Sequence, residues 1–316
     1  MKICILSVSN IKHMSLISIY IEILKKNNIK YDIIYKDKYG HDEEIMNSNL
    51  YMFRKVQSKK ANRFTKLINN LEFKHFAKKI INKNKYDFII AWGDVTAFIF
   101  FNFLSKSYPK KYSLNIRDYW YQRNPIIYRV FKIVIKKSAF TTISSDGFKS
   151  FLPRHNYVFL HSYNKTVLSN LTPRNKKIIG KPIRLTFVGN VRYININKQL
   201  LNIFKNDDRF ELHFYGSNAN KLKSFSAKNF IKNSFFHDRF NIEKTNHFFK
   251  KTDLVNNIFG NDNGTETYLL SIRLYHAIHY KVPIIVSAGT HMSKLISKYN
   301  IGFIVDEINI QTKDKI

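Results

Sequence analysis

Four stretches carry residue types whose spacing suits chemistry. In RLTFVGNVRYININK, Gly189 closes an apolar run, and Arg192 and Lys198 follow it. A glycine at such a point lets a ligand approach the backbone. A following helix N-terminus favours phosphate, and Arg and Lys add positive charge. The set suits a diphosphate clamp; it equally suits a surface turn with two solvated cations. FELHFYGSN ends a second apolar run at Gly216, where glycine serves either a ligand or a tight turn. In DLVNNIFGNDNGTETYLLSIRLYHAIHYKVPIIVS, a polar Gly/Asn loop precedes a segment bearing Glu266, Arg273, Tyr275 and His276. A carboxylate at Glu266 suits ribose or sugar hydroxyls, and it is also simply favoured near a helix start. The turn Ser287–Thr290 after the last run is a further anion-tolerant position.

The fourth stretch, NIRDYW, lies in the N-terminal half. It places Arg117 and Asp118 directly after a strand-like run. Asp118 can orient an acceptor hydroxyl or act on it as a base. Alternatively, Arg117 and Asp118 form a local ion pair and Trp120 belongs to the core. His13, near the first strand–helix junction, faces ligand or plays a structural part.

Other chemistries lack their motifs. There is no Gly-Lys-Ser/Thr phosphate loop and no Gly-x-Gly-x-x-Gly after the first strand. No Gly-x-Ser-x-Gly elbow occurs. The 11 histidines are scattered; His276 and His279 lack a third ligand, so no metal is expected.

The elements that must position these residues alternate. Strands are predicted over Lys2–Val8, Lys30–Tyr35, Tyr86–Ala91, Tyr112–Ile116, Phe140–Ile143 and Tyr157–Leu160, with helices over Leu16–Lys26 and from Pro125 to about Lys137. Asp94 is expected to cap a helix after Trp92-Gly93. Asp42–Lys85 reads as a long, basic, mostly helical region. A polar stretch with Pro173, Gly180 and Pro182 reads as a linker. The alternation then resumes: strands over Arg184–Val188, Phe210–Phe214, Ser234–Phe236, Asp253–Phe259, Val282–Ser287 and Ile301–Val305, and helices near Asn197–Phe204, Ile242–Lys250, Tyr268–Tyr280 and His291–Tyr299. Such alternation means parallel sheets with right-handed crossovers. The expected fold is α/β, two doubly wound Rossmann-like domains facing a cleft, with ligands at the carboxyl ends of strands. The domains are 1–164 and 183–316, joined by a linker over 165–182.

Composition narrows the partners. The chain has 316 residues, and 53 Lys+Arg against 22 Asp+Glu give a net charge of +31. With 44% hydrophobic and 15% aromatic residues it is too apolar for disorder. One cysteine excludes an intrachain disulfide framework. A strong positive field attracts nucleic acid, anionic lipid and phosphorylated substrates alike. No run reaches the ~20 apolar residues of a membrane span, and the N-terminus reads as a strand rather than a signal peptide. The expected location is cytoplasmic.

Taken together, RLTFVGNVR with Lys198, FELHFYGSN, SIRLYHAIHYKVPIIVS and NIRDYW resemble segments of the GT-B glycosyltransferases of bacterial surface-polysaccharide synthesis, near the group-1 or family-four branch. The resemblance implies transfer of a sugar from a nucleoside diphosphate sugar to a lipid-linked or growing oligosaccharide, with retention of configuration and neither metal nor other cofactor. It implies donor binding by Gly189, Arg192, Lys198, Gly216, Glu266, Arg273, Tyr275 and His276, and catalytic work by Asp118 and Arg117. The positive charge, including the basic Arg54–Lys85 stretch, reads as attraction to an anionic cytoplasmic membrane surface, where lipid-linked acceptors reside, and so as peripheral attachment. The chain departs from the family pattern at its paired glutamates: the second position is His276, the first falls at Tyr268, and Glu266 is a nearby substitute. The loop SNIKHMS lacks the usual glycine pair, and the family's closing helices would lie beyond Ile316, so the C-terminal end reads as truncated. These departures open a second possibility, a weak or inactive scaffold of a polysaccharide assembly complex. A third, a basic nucleic-acid-binding protein, lacks a recognisable motif.

Overall fold

The computed structural model describes residues 1–14, 16–45, 48–56, 62–119, 122–163, 182–241, 244–259, 264–306 and 312. The chain divides into two compact units, Met1–Ser162 and Tyr163–Ile316. Most of the expected linker, 165–181, lies outside the described residues, as does Trp120.

The first unit runs β1 (Lys2–Ser7), α1 (Ile17–Lys26), β2 (Lys30–Asp37), β3 (Asn49–Arg54), α2 (Arg63–Asn84), β4 (Phe88–Trp92), α3 (Asp94–Ser107), β5 (Tyr112–Ile116), α4 (Pro125–Lys137), β6 (Phe140–Ile143) and β7 (Val158–Phe159). Its seven strands are all parallel, in the order β3-β2-β1-β4-β5-β6-β7. The order reverses between β1 and β4. Ile5 of β1 therefore stands between Ile33 and Ile90 and is fully buried. Strands covered on both faces read as continuous apolar runs, which is why KICILS was legible. Right-handed crossovers put α2, α3 and α4 on one face of the sheet, where α2 packs on α3 and α3 on α4. Asn124 caps α4 by accepting from the amides of Ile126 and Ile127, with Pro125 in the first turn.

The second unit runs β8 (Ile183–Val188), α5 (Ile194–Ile203), β9 (Phe210–Tyr215), α6 (Ala219–Lys228), β10 (Ser234–His237), α7 (Thr245–Lys250), β11 (Leu254–Asn257), α8 (Thr265–Tyr268), α9 (Ile272–Tyr280), β12 (Ile284–Ser287), α10 (His291–Tyr299) and β13 (Gly302–Val305). Its six strands are parallel, in the order β10-β9-β8-β11-β12-β13. The reversal falls between β8 and β11. Leu185, Phe187, Leu212, Phe214 and Leu254 pack against Leu200, Leu201 and Leu222 of the helices. Each such side chain contributes roughly 1.5–3 kcal/mol. This core holds the strand ends rigidly, and the strand ends carry the site.

Four expectations are corrected. The 42–85 region is not helical throughout: Asn49–Arg54 pairs with β2 as an edge strand, and its aromatic, half-buried NLYMFR suits that place. Ala219–Lys228, not expected, is a helix whose buried face is carried by Ala219, Leu222 and Ser226, of which only Leu222 is a large apolar residue. The expected helix Tyr268–Tyr280 is broken: α8 ends at Tyr268, and Ser271 caps a separate α9. Finally, Gly93, with φ of 86°, occupies the N-cap of α3, and Asp94 is its first helical residue.

Candidate functional site

The second unit carries a cavity of about 590 Å³ at the carboxyl ends of its strands. Its wall takes Val188–Asn190 after β8, Gly216 and Ser217 after β9, Arg239 and Phe240 after β10, Thr245 and Phe249 at α7, and Ser271–Arg273 with His276 on α9. It lies beside the reversal of strand order, where doubly wound sheets receive ligands.

Two glycines shape the floor. Gly189 and Gly216 have φ of 129° and 134°, a region that side-chain-bearing residues avoid. A Cβ on Gly216 would stand 1.9 Å from the carbonyl oxygen of Gly189, and one on Gly189 would press on the Arg273 guanidinium at 3.2 Å. Their own amides are spent on the sheet: Gly189 donates to the Tyr215 carbonyl and Gly216 to the His237 carbonyl, each at 2.8 Å. The glycines thus make room and leave ligand binding to other groups.

Arg273 is the chief of these. Its Nε donates to Asn257 Oδ1 and one terminal nitrogen to the Val188 carbonyl, both at 2.9 Å. The guanidinium lies 4.2 Å from the Phe187 ring centre and 4.8 Å from that of Phe259. Ser271 Oγ, donating to the same Asn257 oxygen at 2.8 Å, fixes the cradle. All these partners are neutral, and among the described residues no carboxylate pairs with Arg273. Burial, with the charge of Arg192 adding to it, pulls its pKa down to about 9. It stays protonated at neutral pH, so it is a partly desolvated cation whose described partners are all neutral. Arg239 adds a second guanidinium, and among the described residues no acidic one lines the cavity.

His276 also faces this space. Its ring stacks on Phe249, 4.5 Å between centres and 10° between planes. Burial, then the nearby His279, lowers its pKa to about 4, so it is neutral at physiological pH. Its Nδ1 is buried without a protein hydrogen-bond partner, an open valence that suits a ligand hydroxyl.

The other expected donor-side residues sit around this cavity rather than in its wall. Arg192 is exposed and close enough to Arg273 to lower its pKa. Lys198 extends over Phe225 of α6, 5.2 Å from the ring centre. Tyr275 is buried with its ring 4.9 Å from that of Tyr163. Glu266 accepts a hydrogen bond from the Tyr193 hydroxyl, and the Tyr193 ring leans on Phe259 beside Arg273. The uncapped N-terminus of α5 starts at the next residue, Ile194. Residues 260–263 of the polar loop before Glu266 lie outside the described residues.

In the first unit, Arg117 and Asp118 follow β5 as expected, with Asp118 exposed. Arg117 donates to Ser162 Oγ at 2.7 Å. Their backbone amides donate to Asp94, which also accepts from Gln122 Nε2 at 2.7 Å. Burial, and then the charge of Asp118, push the Asp94 pKa well above the carboxylate range, against these donors. Asp94 is therefore the post that ties Arg117 and Asp118 to Gln122. His13 is exposed beside Tyr39, their rings 5.3 Å apart.

The sequence reading missed Asp94 in this role, and also Arg239, Asn257 and Phe259. Arg239 and Asn257 had a legible signal. Both end or follow strands, and two asparagines closing an apolar strand are unusual enough to mark a polar duty. Among the described residues no cluster of His, Cys, Asp and Glu could hold a metal.

No protein-family model and no curated protein sequence matches the chain. Solved structures do. A sucrose-phosphate synthase from Thermosynechococcus elongatus superposes with a TM-score of 0.73 at 11% identity, covering 99% of this chain and 88% of that one. HepE from Anabaena, in complex with UDP and glucose, gives 0.66 at 11% identity, with 99% and 88% covered. The lipopolysaccharide outer core galactosyltransferase WaaB gives 0.62 at 12%, with the same coverage. At these identities the likeness establishes the fold: the chain is built of two Rossmann-like units of the GT-B type.

Proposed function

We propose that the chain is a glycosyltransferase whose donor is a nucleoside diphosphate sugar and whose acceptor is a lipid-linked or growing oligosaccharide. The observation that carries this is Arg273, a half-buried cation with no carboxylate partner among the described residues, in a cavity at the strand-order reversal of a GT-B unit. A diphosphate is the anion such a place suits. Arg239 and the nearby Arg192 add charge, and the α5 N-terminus is available to phosphate. Phe240 and Phe249 offer apolar contact to the nucleoside, and His276 offers a neutral hydrogen-bonding group to a hydroxyl. Guanidinium groups fixed before reaction stabilise charge that develops on the departing diphosphate, commonly the largest catalytic term. Asp118 positions the acceptor hydroxyl, and Arg117 is set beside it. The UDP and glucose of the HepE structure support the donor class, and the lipopolysaccharide role named for WaaB supports the acceptor class. Retention of configuration and metal independence come from the sequence resemblance, and peripheral attachment to a membrane from the positive charge.

The test is a screen of UDP-, GDP- and CMP-sugars with lipid-linked acceptors, reading release of nucleotide and extension of the acceptor. Turnover with one pair, lost in Asp118→Asn while donor binding persists, is the expected outcome. Nucleotide binding with no transfer or hydrolysis across the screen would favour an inactive scaffold, which the neutral His276 makes the second reading.

A further inference from the structure

Strand β10 is the outer strand of the second sheet: β9 flanks it on one side, and no described strand flanks it on the other. The carbonyls of Asn233 and His237 accept from the amides of Leu212 and Gly216 at 2.9 and 2.8 Å. Residues 233, 235 and 237 therefore turn their backbone groups toward β9. Alternation along the strand turns those of Ser234 and Phe236 outward, an open template for another strand. Sheets blunt such edges with charge, proline or a covering element. The edge strand β3 of the first unit is closed in that way by Arg54, which Asp37 and Asp42 hold. The middle of the β10 edge is instead Phe235, 40% exposed, with its ring stacked on His213 of β9 at 4.7 Å.

The sequence of this edge, KNSFFHD over 232–238, is complementary to itself. Lay two copies antiparallel about a two-fold axis through Phe235. Lys232 of each then meets Asp238 of the other, and Phe235 meets its own counterpart. The backbone favours the same register. Ser234 falls opposite Phe236, and both have outward amides and carbonyls, so they form the hydrogen-bonded pairs. Phe235 falls at the non-bonded pair, where Cα atoms approach to about 4.5 Å and side chains pack closest. The neighbouring helix leaves room for a partner. Asn220 of α6 donates to Asp238 at 3.0 Å and so faces the edge. Ser224 and Ala227 share that side of the helix by spacing, and both are small and exposed.

We propose that β10 is a dimerisation strand: two copies of the chain join their second sheets edge to edge, antiparallel across Phe235, with Lys232 and Asp238 paired at either end. A two-fold contact of this kind uses the same patch on both copies, closes on itself and stops at two. The net charge of +31 on each copy opposes association at long range. At physiological salt that repulsion is screened beyond about 8 Å. The edge itself is balanced, since over 232–238 Lys232 is answered by Asp238. The inference stands apart from the donor site, although β10 leads directly into Arg239 and Phe240 of that cavity's wall.

The experiment is sedimentation velocity of the whole chain, up to about 100 µM and at about 0.15 M salt. Wild type is expected to reach twice the chain's 37.5 kDa. Phe235→Lys sets two ammonium groups against each other on the axis, and should weaken the dimer about 100-fold with an unchanged melting temperature. Lys232→Asp should weaken it about tenfold. K232D/D238K reverses each pair at constant composition and should restore it. Cross-linking tests the register without relying on stability. Cys4, the single native cysteine, is buried. Mild oxidation should therefore join two F235C chains through position 235, where the register brings the Cα atoms within the roughly 4.4–6.8 Å of a disulfide. H237C chains should stay apart, because His237 meets Asn233. A wild type that stays monomeric at about 100 µM would overturn the proposal. So would a dimer indifferent to Phe235→Lys, a K232D/D238K chain no tighter than Lys232→Asp, or a dimer in which F235C fails to cross-link.

Discussion

The two units share one fold, and Asp37 of the first and Arg273 of the second meet their surroundings in opposite ways. In the first, buried carboxylates are answered from within. Asp37 accepts from Asn10, from Arg54 and from the amides of Tyr39 and Gly40. Burial alone would raise its pKa, and these donors outweigh it and hold the group at about 2. Asp94 also binds amides and Gln122, but there burial and the charge of Asp118 win and raise its pKa well above the carboxylate range. In the second unit the half-buried Arg273 meets, among the described residues, neutral oxygens and aromatic faces. Charge answered within the fold is architecture. Charge without a carboxylate partner at a strand-order reversal is what the proposed donor site rests on.

The sharpest way to break this contrast is to collapse the second cavity. Gly216→Ala places a methyl against the Gly189 carbonyl in a strained backbone region, and should destabilise the second unit by about 3 kcal/mol or more. Urea unfolding read by a probe in that unit checks it; a cost near zero would mean the two glycine turns are not pressed together. Next, Asp94→Ala removes the post under Arg117, Asp118 and Gln122 and should cost about 1–3 kcal/mol. If amide exchange at Arg117 and Asp118 stays unchanged in that variant, the carboxylate does not organise them.

His276 gives a pH test. Its folded pKa of about 4 lies below its ordinary 6.5. Between those values the unfolded chain binds more protons, so stability falls as pH drops from 6.5 toward 4. The loss attributable to this group is roughly 1–3 kcal/mol. Melting curves of wild type and His276→Phe should diverge across that window and run parallel above it. Parallel curves throughout would mean the ring is solvated. The smallest effect belongs to Lys198, whose ammonium rests over Phe225: Lys198→Ala should change nucleotide affinity by less than about 0.5 kcal/mol. A tenfold loss would bring Lys198 into the site and widen the contrast.

How much of this was legible in the residues depended on where pattern and packing agree. KICILS, KYDIIY and YSLNI are buried on both sides and declare themselves by unbroken apolarity. NLYMFR did not, because an edge strand is half-exposed and stood inside a basic run. The positions of Gly189 and Gly216 followed from strand ends alone. The importance of Arg273 over Arg192 and Lys198 did not. Three cations near a strand end look alike in sequence, and only packing shows which loses its water between Phe187 and Phe259. Asp94 was placed in sequence as a cap because its partners, the amides of Arg117 and Asp118, lie on a different strand–helix connection.

The central claim is that Arg273 is held without a carboxylate partner so that a nucleotide's diphosphate can pair with it. Isothermal titration of UDP, GDP and CMP, each with and without its sugar, into wild type and Arg273→Met tests it most directly. The account predicts that one nucleotide binds wild type, that Arg273→Met weakens it by about 100-fold, and that the variant's melting temperature is unchanged or higher, since a half-buried charge without a carboxylate partner is gone. Equal affinity in the two proteins, or a folded wild type that binds none of the nucleotides, would contradict it.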